Sequence, residues 1–419
     1  MAQLKDDCFA FGEALVPFDD AMSELASRLD TVVERETVPL ISAGGRVLAE
    51  DLISDRNVPP HDNSAVDGYA VFFSDLDPEK ETRLPVTGRV AAGHPLERDA
   101  RLGEAVQIFT GAPMPVGMDT VFMEEDTVRD GETVVLPKGL KQGANRRFAG
   151  EDVKTGDVIV TDGTRLRPQE IGLAASIGRN RLTVYQPLRV AIFSTGDEVR
   201  DPSGDAPEGC IYDANRFSVM ALLQRLGIQV TDLGILPDEE NAISAALGKA
   251  ASDHHVLMTS GGVSAGEEDH VKAAVEQLGS IHFWRLAIKP GRPIALGQVG
   301  DASFIGLPGN PVAAMVTFLM IAQPILRRLA GETGYRAARF KVATDFAYKK
   351  KTGRREWVRV ALGSDDNGVP RLSKHHSSGA GILTSMSGAD GLAEIGEDIE
   401  RLEAGASVTY IPFNGLLSG

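Results

Sequence analysis

Regular alternation of apolar and amphipathic segments between residues 188 and 331 constrains the fold more than any other feature of the sequence. Five short apolar segments predict strands: LRVAIFST, IQVTDLGIL, HHVLMTS, IHFWRLAI and FIGL. Helices are predicted over 215–226, 238–251 and 311–329, and a further helix ends before Gly279. Strands that alternate with helices imply right-handed crossovers and a parallel sheet. Because the strands are continuously apolar, we expect both faces of this sheet to be covered.

The third predicted strand leads into a glycine turn and a helix, in the stretch VLMTSGGVSAGEEDHVK over 256–272. Gly261 and Gly262 let the backbone approach a ligand closely, and the N–H groups at a helix start suit an anion. Three carboxylates follow at 267–269, and an anion site beside acids favours a bridging cation. Alternatively, the glycines only turn the chain and the acids only offset the helix dipole. The stretch by itself supports both interpretations equally.

Polar residues, glycines and prolines follow the predicted strands at the edge where open α/β sheets bind ligands. They are Asp197, Glu198, Asp238, Ser260, Gly261, Gly262, Asp269, Lys289, Arg292, Pro308, Gly309, Asn310 and Pro311. Any one acid can simply cap a helix, as Asp238 is placed to do. Two carboxylates about 4 Å apart repel by about 4 kcal/mol at a protein-surface dielectric, and a divalent cation relieves that repulsion. Oxygen ligands without a cysteine pair favour Mg2+.

The rest of the chain predicts three further domains around this central one. Short β-type runs separated by turns indicate an inserted β domain, and similar runs return near the C-terminus. Helical patterns over 19–29 and 168–177 flank the insertion, with a shorter helix from Ser42 to Ala49. The predicted limits are 17–54 and 144–187 for a discontinuous helical domain, 55–143 for the inserted β domain, 188–331 for the central doubly wound parallel-sheet α/β domain and 334–419 for a C-terminal β-barrel-like domain. The predicted fold class is therefore multidomain α/β plus β.

The composition of the chain excludes several classes of partner and of structural site. The net charge of -16 argues against nucleic acid or an anionic membrane as the main partner. Cys8 and Cys210 are the only cysteines, which excludes a disulfide framework and a cysteine zinc site. The N-terminus lacks the apolar core of a signal peptide, and the apolar run 312–322 is too short to span a bilayer. These features predict a reduced, cytoplasmic protein.

Three polar clusters away from the strand ends have ordinary explanations. Asp67 lies in the stretch HDNSAVDGYA, where Asp and Asn favour turns. Arg146 and Arg147 fit a phosphate contact or, as the commoner case, a surface ion-pair cluster. The adjacent His375 and His376 fit a solvated loop better than a pair of metal ligands.

Several motifs nevertheless converge on one family. TSGGVSAGEEDH, STGDEV, IYDANR, FWRLAIKPGRP and IGLPGNPV, together with DNSAVDGYA, IFTGAPMP and RRFAGEDV, resemble the molybdopterin molybdenumtransferase family, to which gephyrin's C-terminal region is similar. The resemblance covers nearly all of the chain after residue 17. A related family of molybdopterin adenylyltransferases shares the central domain. Its loop typically continues with Thr-Gly where this chain has Val263-Ser264, and it usually lacks the flanking β domains.

The resemblance implies an elongated homodimer of four-domain chains. It implies a Mg2+-dependent enzyme that takes adenylylated molybdopterin and molybdate and gives molybdenum cofactor and AMP. It also implies contact with the upstream adenylyltransferase and with acceptor molybdoenzymes. The alternatives are a molybdopterin adenylyltransferase and a non-enzymatic pterin-binding scaffold.

Site residues follow from the matched motifs. The implied catalytic residues are Asp67, Glu198, Asp238, Asp269 and Lys289, of which Glu198 and Asp269 are also the expected metal ligands. The implied substrate-binding residues are Thr110, Ser260, Gly261, Gly262, Arg285, Pro308, Gly309, Asn310, Pro311 and Arg359. Because the inserted β domain is far in sequence from the strand ends, we expect Asp67 and Thr110 to act on the site of a two-fold partner.

The sequence departs from the family at two places. Arg285 stands where the family usually has Lys, which keeps the charge but not the compact ammonium. Gly379-Ala380 stands where the family usually has Gly-Ser, so a hydroxyl contact to the oxyanion is either lost or supplied by Ser377 or Ser378.

Overall fold

The computed structural model describes residues 15–262, 270–377 and 379–417, and these form two compact units. The smaller unit comprises Asp51–Thr161 and Pro168–Arg181, and the larger comprises the described residues of Met1–Glu50, Asp162–Arg167 and Leu182–Gly419. Asp269 and the loop before it lie outside the described residues. The residue limits of the four predicted domains stay predictions.

The smaller unit is built on a six-stranded sheet. In spatial order its strands are Thr120–Met123, Gly68–Val71, Ala105–Ile108, Thr82–Val90, Thr133–Leu136 and Val128–Asp130. Tyr69 and Val71 enter one apolar cluster while Ala70 enters another, so both faces of the sheet are covered. Two short antiparallel ladders complete the unit, Asn63–Ser64 with Arg146–Arg147 and Leu52–Ile53 with Val158–Val160, together with the helix Pro168–Ser176.

The core of the larger unit is a second six-stranded sheet. In spatial order its strands are Gln229–Leu236, Arg189–Thr195, Val256–Ser260, Ala302–Leu307, Pro293–Val299 and Gly279–Arg285. The first four run parallel, as predicted. Val190 and Ile192 enter one apolar cluster, and Ala191 and Phe193 enter another. Helices Ala214–Arg225, Pro311–Thr317 and Gln323–Leu329 contribute to the first cluster, and Glu240–Ala251 and His270–Leu278 to the second. Helices on both faces confirm the doubly wound arrangement.

One strand of this sheet, Pro293–Val299, is absent from the sequence-based prediction. It pairs antiparallel with Ala302–Leu307 and with Gly279–Arg285. The prediction missed the two-residue Gly300-Asp301 turn, whose glycine has a φ of 57° suited to a hairpin. Because two successive antiparallel pairings restore the direction, Gly279–Arg285 still runs parallel to the other four strands. Its carboxyl end therefore lies at the same sheet edge as theirs.

The apolar segment after this sheet forms a helix over Pro311–Leu329, which contains the π-helical turn Phe318–Ala322. Among the described residues it is the one helix that is long and apolar enough to cross a membrane. However, 83% of its most apolar window is buried inside the fold, as in a core helix.

The C-terminal region closes into a barrel. Its strands in order are Arg355–Ser364, Pro370–Lys374, Phe340–Thr344, Ser407–Pro412 and Gly391–Ile395, the last pairing back with the first. The short strand Ile288–Lys289 leaves the α/β domain and pairs parallel with this barrel, with Ile288 opposite Arg355 and Lys289 opposite Glu356. The backbone of Lys289 is thereby fixed beside a barrel strand, and the predicted C-terminal β-barrel-like domain is confirmed.

The remaining elements are short, apart from the helix Phe18–Arg28. Two-stranded ladders join Arg35–Pro39 with Arg181–Tyr185, Val199–Arg200 with Ile211–Tyr212, and Tyr348–Lys349 with Arg401–Leu402. Single helical turns lie at Leu40–Ser42, Phe73–Asp75, Glu124–Asp126, Thr384–Ser387 and Phe413–Leu417.

The helix predicted from Ser42 to Ala49 is wrong. One 3-10 turn ends at Ser42, Gly45 has a φ of 76° that ends any helix, and Val47 and Leu48 form β-bridges.

Candidate active site

A cavity of about 570 Å³ lies between the strand ends of the α/β domain and the barrel, within the larger unit. We call it the rim cavity. It is lined from the α/β domain by Glu198, Gly261, Gly262, Lys289, Pro290, Gly291, Arg292, Pro293, Pro308, Gly309, Asn310 and Ala313, and from the barrel region by Tyr348, Glu356, Trp357, Val358, Arg359, Lys374, His375, Ser377 and Ala380. Its size suits a small organic ligand.

Two glycine-bearing loops form part of the wall. Gly261 and Gly262 have φ values of 89° and 62°, which favour glycine, and the N–H of Gly261 donates to the carbonyl of Leu307 at 3.1 Å. A Cβ on Gly262 would lie 2.9 Å from the Thr195 side chain, so the position admits no larger residue without movement. A Cβ on Gly309 would lie 3.5 Å from the Cα of Gly261, so the two loops approach closely.

Asn215 ties these loops together, and the sequence-based site residues did not include it. Its side-chain amide donates to Ser260 Oγ at 2.8 Å and to the carbonyl of Gly309 at 2.6 Å. The hydroxyl of Ser260 in turn donates to the carbonyl of Pro308 at 3.2 Å. Asn215 lies in the first turn of Ala214–Arg225, capped by Asp213, within the motif IYDANR. That motif was the available signal.

The structure places the predicted acidic residues of the strand ends in different positions. Glu198 lines the rim cavity, and a Cβ on Gly196 would lie 2.7 Å from its Oε2, so this carboxylate depends on the glycine beside it. Asp238 does not cap a helix, because the helix begins at Glu240 and Asp238 Oδ1 instead accepts a hydrogen bond from Thr195 Oγ1 at 2.9 Å. Asp269 lies outside the described residues.

Arg359 brings a buried positive charge to the cavity wall. It is 6% exposed; its Nε donates to Ser385 Oγ at 3.1 Å, and its Nη2 donates to the carbonyls of Ser377 and Gly379 at 3.3 and 3.2 Å. No described carboxylate pairs with it. Burial lowers the pKa of Arg359, but a guanidinium stays protonated at neutral pH. A buried cation with only neutral partners favours an anionic ligand.

Lys289 is another cation of this wall, which Arg292 and Lys374 also line. The Lys289 side chain is 45% exposed, and its ammonium nitrogen lies 3.3 Å from Glu356 Oε2. Two ammonium hydrogens remain for a ligand, since Lys carries three donors.

Not every predicted site residue reaches the rim cavity. Arg285, Ser260, Asp238 and Pro311 are not among its lining residues. Pro311 instead begins a helix whose next N–H, on Val312, donates to the carbonyl of Ala380 at 3.0 Å.

In the smaller unit, Asp67 and Thr110 are brought together as a pair. Asp67 Oδ1 accepts from the Thr110 N–H and from its hydroxyl, each at 2.7 Å. Nearby, Asp62 accepts from the Ala149 N–H at 2.8 Å and pairs with Arg146. Arg146 is thus engaged in an ion pair, the commoner of the two expectations.

The described carboxylates provide only part of a Mg2+ site. No group of three or more His, Cys, Asp or Glu side chains that could hold a metal ion occurs in the described ranges. Of the two lining carboxylates, Glu356 is held by protein donors, whereas the side-chain carboxylate of Glu198 has no hydrogen bond or ion pair to another described residue. Glu198 therefore fits one ligand of Mg2+, and its expected companion is the undescribed Asp269.

The fold and the site together define a protein in which a doubly wound α/β domain and a closed β barrel share one cation-bearing cavity beside glycine loops. Three family profiles match successive parts of the chain. They are the MoeA N-terminal region (domain I and II) at 16–178, the probable molybdopterin binding domain at 191–328 and the MoeA C-terminal region (domain IV) at 341–413.

Comparison with individual relatives supports the same family as the profile matches. The chain is 38% identical over 405 residues to the molybdopterin molybdenumtransferase of Haemophilus influenzae, covering 96% of this chain and 100% of the relative. It is 32% identical to molybdopterin molybdenumtransferase 2 of Mycobacterium tuberculosis, covering 89% and 93%. The crystal structure of the molybdopterin biosynthesis moeA protein from Pyrococcus horikoshii superposes with a TM-score of 0.82 at 29% identity, covering 96% and 100%. The chain belongs to the molybdopterin molybdenumtransferase family and is an enzyme of molybdenum cofactor biosynthesis, which confirms the resemblance predicted from its motifs.

Proposed function

We propose that this enzyme inserts molybdate into adenylylated molybdopterin in a Mg2+-dependent reaction that releases AMP and forms molybdenum cofactor. The observation that carries the proposal is the presence of Arg359 and Lys289 in the same cavity as the glycine-bearing loops of the α/β domain. Molybdate is a small oxyanion, and the chain is otherwise strongly acidic. The positively charged side chains of this cavity are therefore the place where such an anion binds.

Arg359 is suited to orient the oxyanion. Its Nε and Nη2 are held by the Ser385 hydroxyl and by two loop carbonyls, which fixes the plane of the guanidinium. Its Nη1 has no hydrogen bond to another described residue and is available to the ligand. Lys289 adds a point charge with adaptable donors.

The larger organic substrate is assigned to the glycine side of the rim cavity. Gly261, Gly262 and Gly309 place no Cβ between the backbone and a ligand, so a pterin or a phosphate can approach the main chain. Ala313 and Val358 supply apolar wall. Burying an anionic ligand between this wall and the side chains of Arg359 and Lys289 excludes water from the reacting groups.

Magnesium, when bound, offsets phosphate charge during loss of AMP. Glu198, which lies at the cavity wall, and Asp269 are the proposed ligands. Asp238, anchored by Thr195, contributes negative potential at the same strand ends. Chelation of Mg2+ is expected to stop AMP release; AMP release at full rate in chelator would remove the metal from the proposal.

The proposal includes a two-fold homodimer in the cytoplasm with a composite site. The inserted β domain carries the preorganised Asp67–Thr110 pair, which we assign to the rim cavity of the partner chain. The substrate arrives from an upstream adenylyltransferase, and acceptor molybdoenzymes receive the product.

Reconstitution tests the proposal against its alternatives. Purified protein is mixed with adenylylated molybdopterin, molybdate and Mg2+, and the products are scored as AMP and as activation of a molybdenum-free acceptor enzyme. Both products are expected. Consumption of ATP with release of pyrophosphate on plain molybdopterin would favour an adenylyltransferase instead, and tight pterin binding without turnover would favour a scaffold.

A further inference from the structure

Glu356 lies beneath Lys289 as a buried carboxylate on the barrel side of the rim cavity. It is 1% exposed, and both of its oxygens are engaged. Oε1 accepts from Arg354 Nε at 2.7 Å, while Oε2 accepts from the Tyr348 hydroxyl at 2.7 Å and from Lys289 Nζ at 3.3 Å. A buried carboxylate with three donors is a fixed point against which a flexible lysine can be held.

The surroundings keep this carboxylate ionised. Burial alone would raise the pKa of Glu356, but the Tyr348 hydrogen bond and the charges of Lys289 and Arg354 outweigh burial and lower it. Burial and the bond to Glu356 raise the pKa of Tyr348, so the phenol stays a donor at neutral pH. Arg354 offsets the charge of Glu356, and the positive charge of Lys289 therefore remains available to an anion.

Lys289 and Glu356 are paired both through the backbone ladder and through their side chains. Lys289 and Glu356 are opposite each other in the parallel ladder between Ile288–Lys289 and the barrel strand Arg355–Ser364. The ladder fixes the start of the lysine side chain, and Glu356 fixes its end. The ammonium still reaches the cavity, since Lys289 is a lining residue.

We propose that Glu356 is a positioning residue that holds the Lys289 ammonium in place for the oxyanion. This inference rests on the proposed molybdate reaction and goes beyond it, because it assigns a role to a barrel residue whose two carboxylate oxygens are already held by protein donors. Without the carboxylate, Lys289 and Arg354 repel each other, and the partly exposed lysine turns towards solvent.

Four variants test the inference: Glu356→Gln, Glu356→Asp, Lys289→Ala and the double variant Glu356→Gln/Lys289→Ala. Molybdate titrations give the half-saturating concentration and the turnover at saturation. Glu356→Gln is expected to raise the half-saturating concentration about tenfold with turnover changed much less, because one hydrogen bond between charged groups is lost. The double variant is expected to be no weaker than Lys289→Ala, since Glu356 acts through the lysine.

Glu356→Asp separates position from charge and covers the case in which Glu356→Gln fails to fold. It keeps the negative charge but is too short to hold the lysine, so the same rise is expected. The matched control is Asp365→Asn, which removes the charge of another carboxylate of the barrel region; Asp365 pairs with Arg371 at 3.1 Å, and neither residue lines the cavity. Wild-type values are expected for this control.

Wild-type half-saturation in Glu356→Asp, or multiplied effects in the double variant, would overturn the inference. Calorimetric titration with molybdate alone gives the same comparison without turnover. If the wild-type enzyme releases no AMP, the proposed function fails, while the calorimetric comparison still decides the role of Glu356.

Discussion

Asp67 Oδ1 accepts two hydrogen bonds from Thr110, one from its backbone N–H and one from its hydroxyl, both 2.7 Å long. The backbone bond and then the hydroxyl bond lower the pKa of Asp67, so this exposed carboxylate is ionised at neutral pH. Asp67→Asn retains an oxygen that accepts both bonds but removes the charge. If the charge acts in the reaction, turnover falls about 100-fold with an unchanged melting temperature. Near-normal turnover would make Asp67 a turn residue, and Thr110→Ser, which keeps both donors, is the control.

A composite site predicts complementation between inactive chains. Asp67→Ala and Asp269→Ala are each expected to be inactive, and mixing them under conditions of subunit exchange is expected to restore activity. A heterodimer then contains one site built from the two wild-type halves. If proven heterodimers of folded single variants stay inactive, each site is built within one chain.

Replacing Asn215 is expected to weaken binding of the pterin substrate on the glycine side of the rim cavity. Asn215→Ala removes both hydrogen bonds that join Ser260 to Gly309, so the glycine loops separate. The expected results are a raised KM for the adenylylated pterin, an unchanged half-saturating molybdate concentration and a loss of about 1 to 2 kcal/mol in the free energy of unfolding. Equal weakening of both substrates would instead indicate general disruption of the cavity.

Glu104 makes the stability of the smaller unit depend on pH. The Arg98 hydrogen bond, followed by those from Thr87 and the Arg101 backbone, outweighs burial and lowers the pKa of Glu104 from 4.5 to about 2. Its stabilisation is therefore complete above pH 4.5 and disappears as the pH falls towards 2. Glu104→Gln is expected to lower the free energy of unfolding by about 2 kcal/mol at pH 7, with a deficit that shrinks in acid. Urea-dependent hydrogen exchange in the strand Ala105–Ile108 measures this free energy of unfolding. An equal loss of stability in Glu104→Gln at pH 7 and at pH 3 would contradict the role given to the Glu104 carboxylate.

Local patterns were sufficient to predict the doubly wound sheet, because its buried strands are continuous apolar runs and its helices are periodic. The strand Pro293–Val299 was missed because its antiparallel pairing depends on a short Gly300-Asp301 turn between two apolar runs. The helix expected after Ser42 failed because Gly45 and the bridges of Val47 and Leu48 overrode a weak local pattern.

The site residues also fall into those that local sequence patterns could predict and those that depend on contacts between distant parts of the chain. Glycines and acids after strands were predictable because parallel strands place their carboxyl ends at one edge. The role of Glu356 could not be predicted, since Lys289 reaches Glu356 only where a strand of the α/β domain joins the barrel. The motif around Asn215 was visible in the sequence, but its role in joining two loops was not, because its two acceptors lie on loops distant in sequence.

Molybdate insertion and AMP release are expected to occur together at one site. The most direct measurement is a single-turnover reaction of the enzyme loaded with adenylylated molybdopterin, started with Mg2+ in the presence or absence of molybdate. The account predicts one AMP released for each molybdenum bound to the pterin, and almost no AMP without molybdate. AMP release at the same rate without molybdate would contradict it.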